Sequence, residues 1–149
     1  MLPFLRLPFA RQPSASRTAF ADWLGGDEGK ALLAAEQRAL DDLLPRLVGC
    51  RALQLGLRAD TDLLASCQLP FQWRLSSLAH DAAHLLMQPA SLPLANACVD
   101  LVLLHHSLDF DDDPYRILNE AGRVLNPGGT LLVVGFNPLS LLGLKRFFH

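Results

Sequence analysis

Two pairs of histidines are the side chains of this sequence whose spacing could support chemistry. His80 and His84 stand four residues apart in the segment HDAAH, so on a helix both imidazoles would share one face and could chelate zinc. This is the spacing of a zinc-hydrolase helix, but Asp81 is a shorter base than the usual glutamate and no third ligand is assigned. An exposed polar turn is the simpler interpretation, so we assign no metal site and keep a zinc hydrolase as a distant alternative.

The second pair, His105 and His106, ends the apolar run that begins at Val99 and is typical of a buried strand. Ligands of parallel α/β sheets bind outside the carboxyl ends of the strands, so a residue that ends a strand is a site candidate. His105 could act as a general base or position a bound molecule. His106 is expected to alternate to the opposite face of the strand and is the poorer candidate. The aspartates that follow are interpreted as a solvated loop with a helix cap, at Asp109, Asp111, Asp112 and Asp113.

The elements that must position these residues alternate between strands and helices. Short apolar runs predict strands at residues 51–56, 71–75, 85–87, 99–105 and 130–135. Amphipathic or capped segments predict helices at residues 18–24, from Asp27 to Pro45, and at 114–125. Strands that are apolar on both faces must lie between two layers of helices. The predicted fold class is therefore α/β, a doubly wound, Rossmann-like parallel sheet of about five strands.

Composition excludes several classes of protein. With 149 residues, 50% of them hydrophobic and 19% charged, the chain can bury one core and is too apolar for disorder throughout. Its apolar runs, such as 101–104, are far shorter than the ~20 residues that span a bilayer, so we expect no membrane span. The net charge of −2 provides no basic footprint for nucleic acid. Three widely spaced cysteines fit neither a disulfide framework nor a zinc motif, which favours the cytoplasm.

Two segments differ in composition. Residues 1–21 contain arginine, proline and serine but no acidic residue, and we interpret them as a flexible N-terminal tail. Their prolines argue against the amphipathic helix of a transit peptide. Residues 22–149 are expected to form one domain.

The last third of the sequence carries the most specific pattern. The run VDLV at 99–102 leads to a helix in which Glu120 precedes RVL at 123–125, and PGG at 127–129 gives a tight turn before the next strand. Together with LPL at 92–94, this arrangement resembles the class I S-adenosylmethionine-dependent methyltransferases, in particular the type 11 group and its small-molecule, quinone-biosynthesis branch. The resemblance implies S-adenosylmethionine as cofactor and transfer of its methyl group to a small-molecule acceptor.

The resemblance also implies the residues that bind the cofactor. Gly56 is the glycine that survives in the loop after the first strand. Ser76 stands where an acid usually binds the ribose hydroxyls, and Gln88 stands where an acid usually meets the adenine. His105 stands where methyl donor and acceptor would meet, so it is both a cofactor contact and the candidate catalytic residue.

The loop after the first strand departs from the family's glycine-rich pattern. Gln54 replaces an acid, and Arg58 places a cation near the cofactor's sulfonium unless it turns to Asp60 or Asp62. We therefore expect weak cofactor binding. A noncatalytic, methyltransferase-like interaction subunit is the alternative function.

The family's sheet normally continues into a final antiparallel hairpin, after a helix that would begin near residue 139. The sequence ends at His149, so we expect a truncated sheet that lacks this hairpin and has the strand at 130–135 as its edge. A homodimer through that exposed edge or through a C-terminal helix at 139–148 is the expected association.

Overall fold

A parallel sheet of five strands organises the protein. The computed structural model describes residues 13–58, 60–76, 85–86 and 89–136. The strands are β1 (Arg51–Gly56), β2 (Phe71–Ser76), β3 (Leu85–Leu86), β4 (Val99–His105) and β5 (Leu125–Val134). Their order is β3-β2-β1-β4-β5, so the chain moves outward from β1 in one direction and then crosses to β4 on the other side. This confirms the doubly wound α/β fold that the sequence predicts.

Three α-helices accompany the sheet in the described part of the chain. They are α1 (Pro13–Leu24), α2 (Asp27–Leu43) and α3 (Pro114–Val124), and a 3₁₀ turn at Leu44–Arg46 follows α2. Pro45 lies in that turn, where its missing N–H ends the α-helix as predicted. None of these helices is long and apolar enough to cross a membrane.

The sheet is buried on both faces because each face has its own leucine-rich layer. On one face, β1 and β4 pack against α3 in a cluster that contains Leu53, Leu55, Val102, Leu104, Ile117, Ala121 and Val124. On the other face, they pack against α2 and the turns after it in a cluster that contains Leu40, Leu44, Ala52, Leu63, Leu64, Leu101 and Leu103. Alternation along each strand thus sends successive side chains to opposite layers.

The first helix belongs to the folded domain and is longer than the sequence predicts. α1 begins at Pro13, whereas a flexible tail is expected through residue 21. Phe20 is buried in a third apolar cluster, and Arg17 forms a salt bridge of 2.8 Å with Asp111. Composition gives no sign of this boundary because the acidic partner of Arg17 lies far along the chain.

The edge strand β5 contains an irregularity that the sequence predicts as a turn. Its pairing with β4 shifts register between Val99 and Leu101. Residues 126–129 form the resulting bulge inside β5, and Gly128 has a φ of +80°, which glycine adopts without steric cost. The strand at 130–135 thus begins earlier than predicted, and it lies at one edge of the described sheet as predicted.

The buried centre of β4 provides a test of the sheet assignment. Val102 has no solvent exposure, so Val102→Asp would bury an unpaired carboxylate and should lower the free energy of unfolding by several kcal/mol, about enough to unfold the domain. Val133→Asp, at a half-exposed position of β5, is the matched control and should change stability little. Urea denaturation followed by circular dichroism measures both. An unchanged urea midpoint in Val102→Asp would contradict the assignment.

Candidate functional site

Three of the four predicted cofactor-site residues meet at one edge of the sheet. Gly56, Ser76 and His105 are the last residues of β1, β2 and β4. Gly56 lies opposite Ser76 in the sheet register, and a Cβ on Gly56 would lie 3.6 Å from the Cβ of His105. The connections from β1 and β4 lead to opposite sides, so the carboxyl ends of these two strands form the topological switch point. In open α/β sheets, ligands bind in the crevice outside such a point. Gln88, the fourth predicted residue, lies outside the described residues.

The neutral polar groups near this crevice are bonded to the protein itself. The Gln54 amide donates to the carbonyl of Thr61 at 2.6 Å, and its oxygen accepts from the N–H of Leu63 at 2.9 Å. The Ser76 hydroxyl donates to the carbonyl of Leu57 at 3.0 Å. These bonds hold the loop that follows β1 in one conformation.

Arg58 is paired with Asp60, one of the two aspartates (Asp60 and Asp62) that the sequence analysis names as possible partners. Its guanidinium donates to the carboxylate of Asp60 at 2.9 and 2.6 Å, and it donates to the carbonyl of Ala21 in α1 at 2.9 Å. Hydrogen bonding to Asp60 raises the pKa of Arg58 above its ordinary value. The cation is therefore neutralised by its neighbour and fastens the loop after β1 to α1.

A cluster of ionisable side chains, the histidine cluster, closes the carboxyl end of β4. It consists of Glu36 from α2, His105 and His106 from the end of β4, and Asp109 from the loop beyond. The Glu36 carboxylate lies 2.7 Å from Nε2 of His105 and 2.6 Å from Nε2 of His106, and Asp109 lies 2.6 Å from Nδ1 of His106. The imidazoles are 4% and 1% exposed and Glu36 is 11% exposed. One carboxylate therefore bridges two buried imidazoles.

The backbone at His106 explains how both histidines reach the same carboxylate. Its φ is +51°, in the left-handed region that non-glycine residues rarely adopt. In an extended strand neighbouring side chains point to opposite faces, but here the turn brings the two rings within 4.6 Å of each other. The prediction that His106 points to the opposite face is therefore wrong. Strain of this kind concentrates at functional sites.

The pKa values of the two histidines in the cluster are shifted in opposite directions. Burial would raise the pKa of Glu36, but hydrogen bonds and charge from His105 and His106 lower it to about 2. Burial would also lower the pKa of His106, but hydrogen bonds to Asp109 and Glu36 raise it to about 9. The pKa of His105 falls below its ordinary value because burial outweighs its bond to Glu36. At neutral pH, Glu36 is thus an anion, His106 a cation and His105 neutral.

The sequence analysis missed two residues of the site, Glu36 and Asp109. Asp109 was interpreted as part of a solvated loop, but it is bonded to His106 at 2.6 Å and is only 13% exposed. Glu36 could have been recognised from its position in α2. It lies three residues after Leu33 and four before Leu40, so it occupies the apolar stripe of α2 rather than its solvated face. An acid at such a position signals a buried partner, because an unpaired carboxylate there is costly. The other predicted pair, His80 and His84, lies outside the described residues.

A family model and two curated proteins match this chain. The family model described as a methyltransferase domain matches residues 56–133. The uncharacterized protein YafS of Escherichia coli is 33% identical over 118 residues, which are 79% of this chain and 49% of that protein. Malonyl-[acyl-carrier protein] O-methyltransferase of Hahella chejuensis is 41% identical over 59 residues, which are 40% of this chain and 21% of that enzyme. The chain thus spans at most about half the length of these curated relatives.

Solved structures share the fold. A Thermotoga maritima S-adenosylmethionine-dependent methyltransferase, described as a possible histamine N-methyltransferase, has a TM-score of 0.62 at 25% identity and is similar over 78% of this chain and 57% of its own. A putative S-adenosylmethionine-dependent methyltransferase of Methanococcus maripaludis has a TM-score of 0.60 at 13% identity, over 99% of this chain and 85% of its own. At that identity the second similarity concerns the fold alone.

The bridging carboxylate can be tested by an isosteric change. Glu36→Gln should lower the free energy of unfolding by about 1–3 kcal/mol, because the amide N–H₂ then faces an imidazole N–H and the cation at His106 loses its bridging anion. Asp42→Asn, at an exposed position of the same helix, should have little effect. Urea denaturation at pH 7 compares the two. Equal stabilities of Glu36→Gln and the unmodified protein would show that the carboxylate does not hold α2 to β4.

Proposed function

Since the chain belongs to the methyltransferase domain family, we propose that it binds S-adenosylmethionine in the crevice between β1 and β4 and transfers the methyl group to a small-molecule acceptor. The observation that carries the proposal is the family match, which begins at Gly56 and runs through β4 and α3. The family's cofactor supplies an electrophilic methyl group on a sulfonium. The protein's part is to hold the acceptor in line with it.

The residues at the ends of β1, β2 and β4 lie where the family binds this cofactor, but neutral side chains stand where the family usually has acids. Gly56 presents backbone without a side chain at the end of β1. Arg58, the cation that would repel a sulfonium, is paired with Asp60, and Glu36 supplies a buried anion beside His105. The hydroxyl of Ser76 is fully buried and donates to the carbonyl of Leu57, so this side chain does not supply the charge-assisted bond of about 1.5–3 kcal/mol that an acid would give the ribose. We therefore expect a dissociation constant above micromolar.

His105 is our proposed base or acceptor-positioning residue. The Glu36 carboxylate can only accept, so Nε2 of a neutral His105 carries the proton and Nδ1 is left as an acceptor. That nitrogen lies on the side of Gly56, where an added Cβ would be 3.8 Å from it. The bridging carboxylate thus holds the tautomer whose basic nitrogen faces the crevice.

Two glycine-to-alanine changes test the cofactor site. A methyl group on Gly56 would make only ordinary contacts with His105, so Gly56→Ala should fold but should weaken S-adenosylmethionine binding at least about tenfold by blocking close approach of the cofactor to the backbone. Gly122→Ala, in α3 with open space around it, is the matched control. Calorimetric titration with S-adenosylmethionine and S-adenosylhomocysteine measures both variants. If the two variants bind S-adenosylmethionine with equal affinity, the cofactor does not approach the backbone at Gly56.

A noncatalytic interaction subunit is the second candidate function. It is supported by the internal bonds of Gln54, Ser76 and Arg58, which satisfy these groups without a cofactor. The same titration separates the two functions. Heat of binding by the unmodified chain supports the methyltransferase, and no binding at millimolar cofactor supports the interaction subunit.

We further propose that two copies associate through the edge of β5, in the cytoplasm. Strand β5 borders the described sheet, and Val133 on it is 48% exposed. An uncovered edge offers backbone groups to a second chain. The free thiols of Cys50, Cys67 and Cys98 suit a reducing compartment.

Sedimentation tests the association. The unmodified chain should dimerise at micromolar concentration, and Val133→Lys should shift it to monomer because a charge on an edge strand opposes pairing. Thr130→Lys, at the beginning of the paired stretch, gives a second variant on the same strand. A monomer at high concentration for the unmodified chain would refute the proposal.

A further inference from the structure

Three ligand atoms converge at the carboxyl end of β4 from two separate elements of the fold. A carboxylate oxygen of Glu36 and one ring nitrogen each of His105 and His106 all lie within 4.8 Å of one another. Glu36 comes from α2, and the two histidines end β4 and begin the following loop. We propose that Glu36, His105 and His106 bind a zinc ion. The proposal does not depend on the methyltransferase activity, because it concerns side chains that meet without a cofactor.

The donor set selects the class of metal. Two imidazoles and one carboxylate are ligands of zinc and other divalent transition ions, whereas magnesium and calcium require oxygen donors. Three protein ligands are also the number found in zinc sites with an open position, where water or a substrate atom completes the tetrahedron. Such an ion makes bound water more acidic and polarises a bound oxygen.

The surroundings of His106 are those of a prepared metal ligand. Metal-bound imidazoles usually donate their second N–H to a carboxylate, which fixes the ring and its tautomer. Nδ1 of His106 has this partner in Asp109 at 2.6 Å, and Asp109 is itself held by the backbone N–H of Phe136 at 3.2 Å. The rings of Phe20 and Phe136 pack on the imidazole at 4.9 and 4.8 Å. This apolar wall limits access of water to the ring.

The present distances allow an ion to enter with a small adjustment. A tetrahedral zinc ion bonded at about 2.0–2.1 Å keeps its ligand atoms about 3.3 Å apart. Nε2 of His105 now lies 2.7 Å from one oxygen of the Glu36 carboxylate, and Nε2 of His106 lies 2.6 Å from the other. The three ligand atoms together lie within 4.8 Å of one another, so no pair has to move by more than about 1.5 Å. The ion then takes the place of the protons that lie between nitrogen and carboxylate: His106 loses one to solvent, and the proton of His105 moves to Nδ1. In the zinc-bound state that nitrogen is a hydrogen-bond donor that can position an acceptor, and it is a base only without zinc.

The strained backbone at His106 is consistent with a ligand site. Both histidines reach one carboxylate while His106 is in the left-handed conformation, with φ of +51°. An ordinary structural contact needs only one of the rings. A second ring brought to the same carboxylate at the expense of backbone strain favours a site in which both nitrogens are used.

Calorimetric titration of the full chain, stripped with EDTA and dialysed, tests the site with zinc chloride and with magnesium chloride. We expect one equivalent of zinc at micromolar affinity or tighter and no heat with magnesium. Glu36→Gln, which removes one ligand, should weaken zinc binding at least about 100-fold. Asp109→Asn, which removes only the support of His106, should weaken it by about 10–100-fold.

The matched control uses the other histidine pair of the sequence. The double variant His80→Asn/His84→Asn should retain the full affinity for zinc. If this variant loses zinc while Glu36→Gln keeps it, the ion belongs to the HDAAH segment and the proposal is refuted. Absence of zinc binding by the unmodified chain also refutes it.

A measurement on the unmodified chain keeps the test independent of how the variants fold. Nitrogen-15 spectra of the histidine side chains should show zinc-dependent shifts of the Nε2 resonances of two imidazoles, in proportion to the single equivalent bound. Zinc binding that leaves His105 and His106 unshifted would overturn the assignment. These titrations contain no S-adenosylmethionine, so their outcome is separate from that of the cofactor experiment.

Discussion

The contact between the Glu36 carboxylate and the two histidines is the interaction on which the carboxyl end of the sheet depends. It joins α2 to the end of β4 across about 70 residues of sequence, at distances of 2.7 and 2.6 Å. Buried charges are tolerated only when they are paired and hydrogen-bonded, so the position of α2 and the rotamers of both imidazoles determine one another. His105, which lies against Gly56, is held in place by this contact.

Burying a carboxylate in the apolar stripe of a helix costs free energy unless a hydrogen-bonded partner of opposite charge lies beside it. In this protein the partner is a cationic His106, whose pKa of about 9 is raised by hydrogen bonds to Asp109 and Glu36 despite its burial. Asp109 in turn receives the N–H of Phe136 beyond β5. The chain of contacts thus runs from α2 through the histidines to the end of the edge strand. A change in any member is expected to move the others.

The sequence was sufficient for the central strands β1 and β4 and for part of the site. β1 and β4 match their predicted bounds because buried parallel strands are short apolar runs, a property that can be seen locally. Gly56 and Ser76 were predicted from the resemblance to the methyltransferase family, and His105 was predicted both from it and because it ends an apolar run. The structure brings the three together because each ends a parallel strand, and the carboxyl ends of parallel strands lie at one edge of the sheet. Their roles toward a cofactor stay predictions.

The features that the sequence analysis missed depend on contacts between distant residues or on a single dihedral angle. Glu36 is distinguished from the solvated acids of α2 only by the two histidines that face it. The orientation of His106 follows from φ of +51°, which no pattern of residue types announces in a histidine. The helical character of residues 13–21 depends on burial of Phe20 and on the salt bridge from Arg17 to Asp111.

The amino and carboxyl ends of the sheet are held by different sets of hydrogen bonds. At the amino end, the Asp100 carboxylate accepts hydrogen bonds from the backbone N–H groups of Cys50 and Arg51 at 2.8 and 3.1 Å and from the Asn126 amide at 2.9 Å. These bonds fasten the beginnings of β1 and β5 to β4, and they hold the pKa of Asp100 below its ordinary value.

Because their amino ends are held together, β1, β4 and β5 keep the same register beyond the bulge in β5, as far as their carboxyl ends. There the backbone N–H of His106 donates to the carbonyl of Val134 at 2.7 Å, the last residue of β5. The left-handed turn at His106 is thus anchored on one side by β5 and on the other by Glu36. The Nε2 atoms of both histidines are thereby directed at the single carboxylate of Glu36, and a site whose side chains are held by neighbouring hydrogen bonds and packing is the condition for tight metal binding.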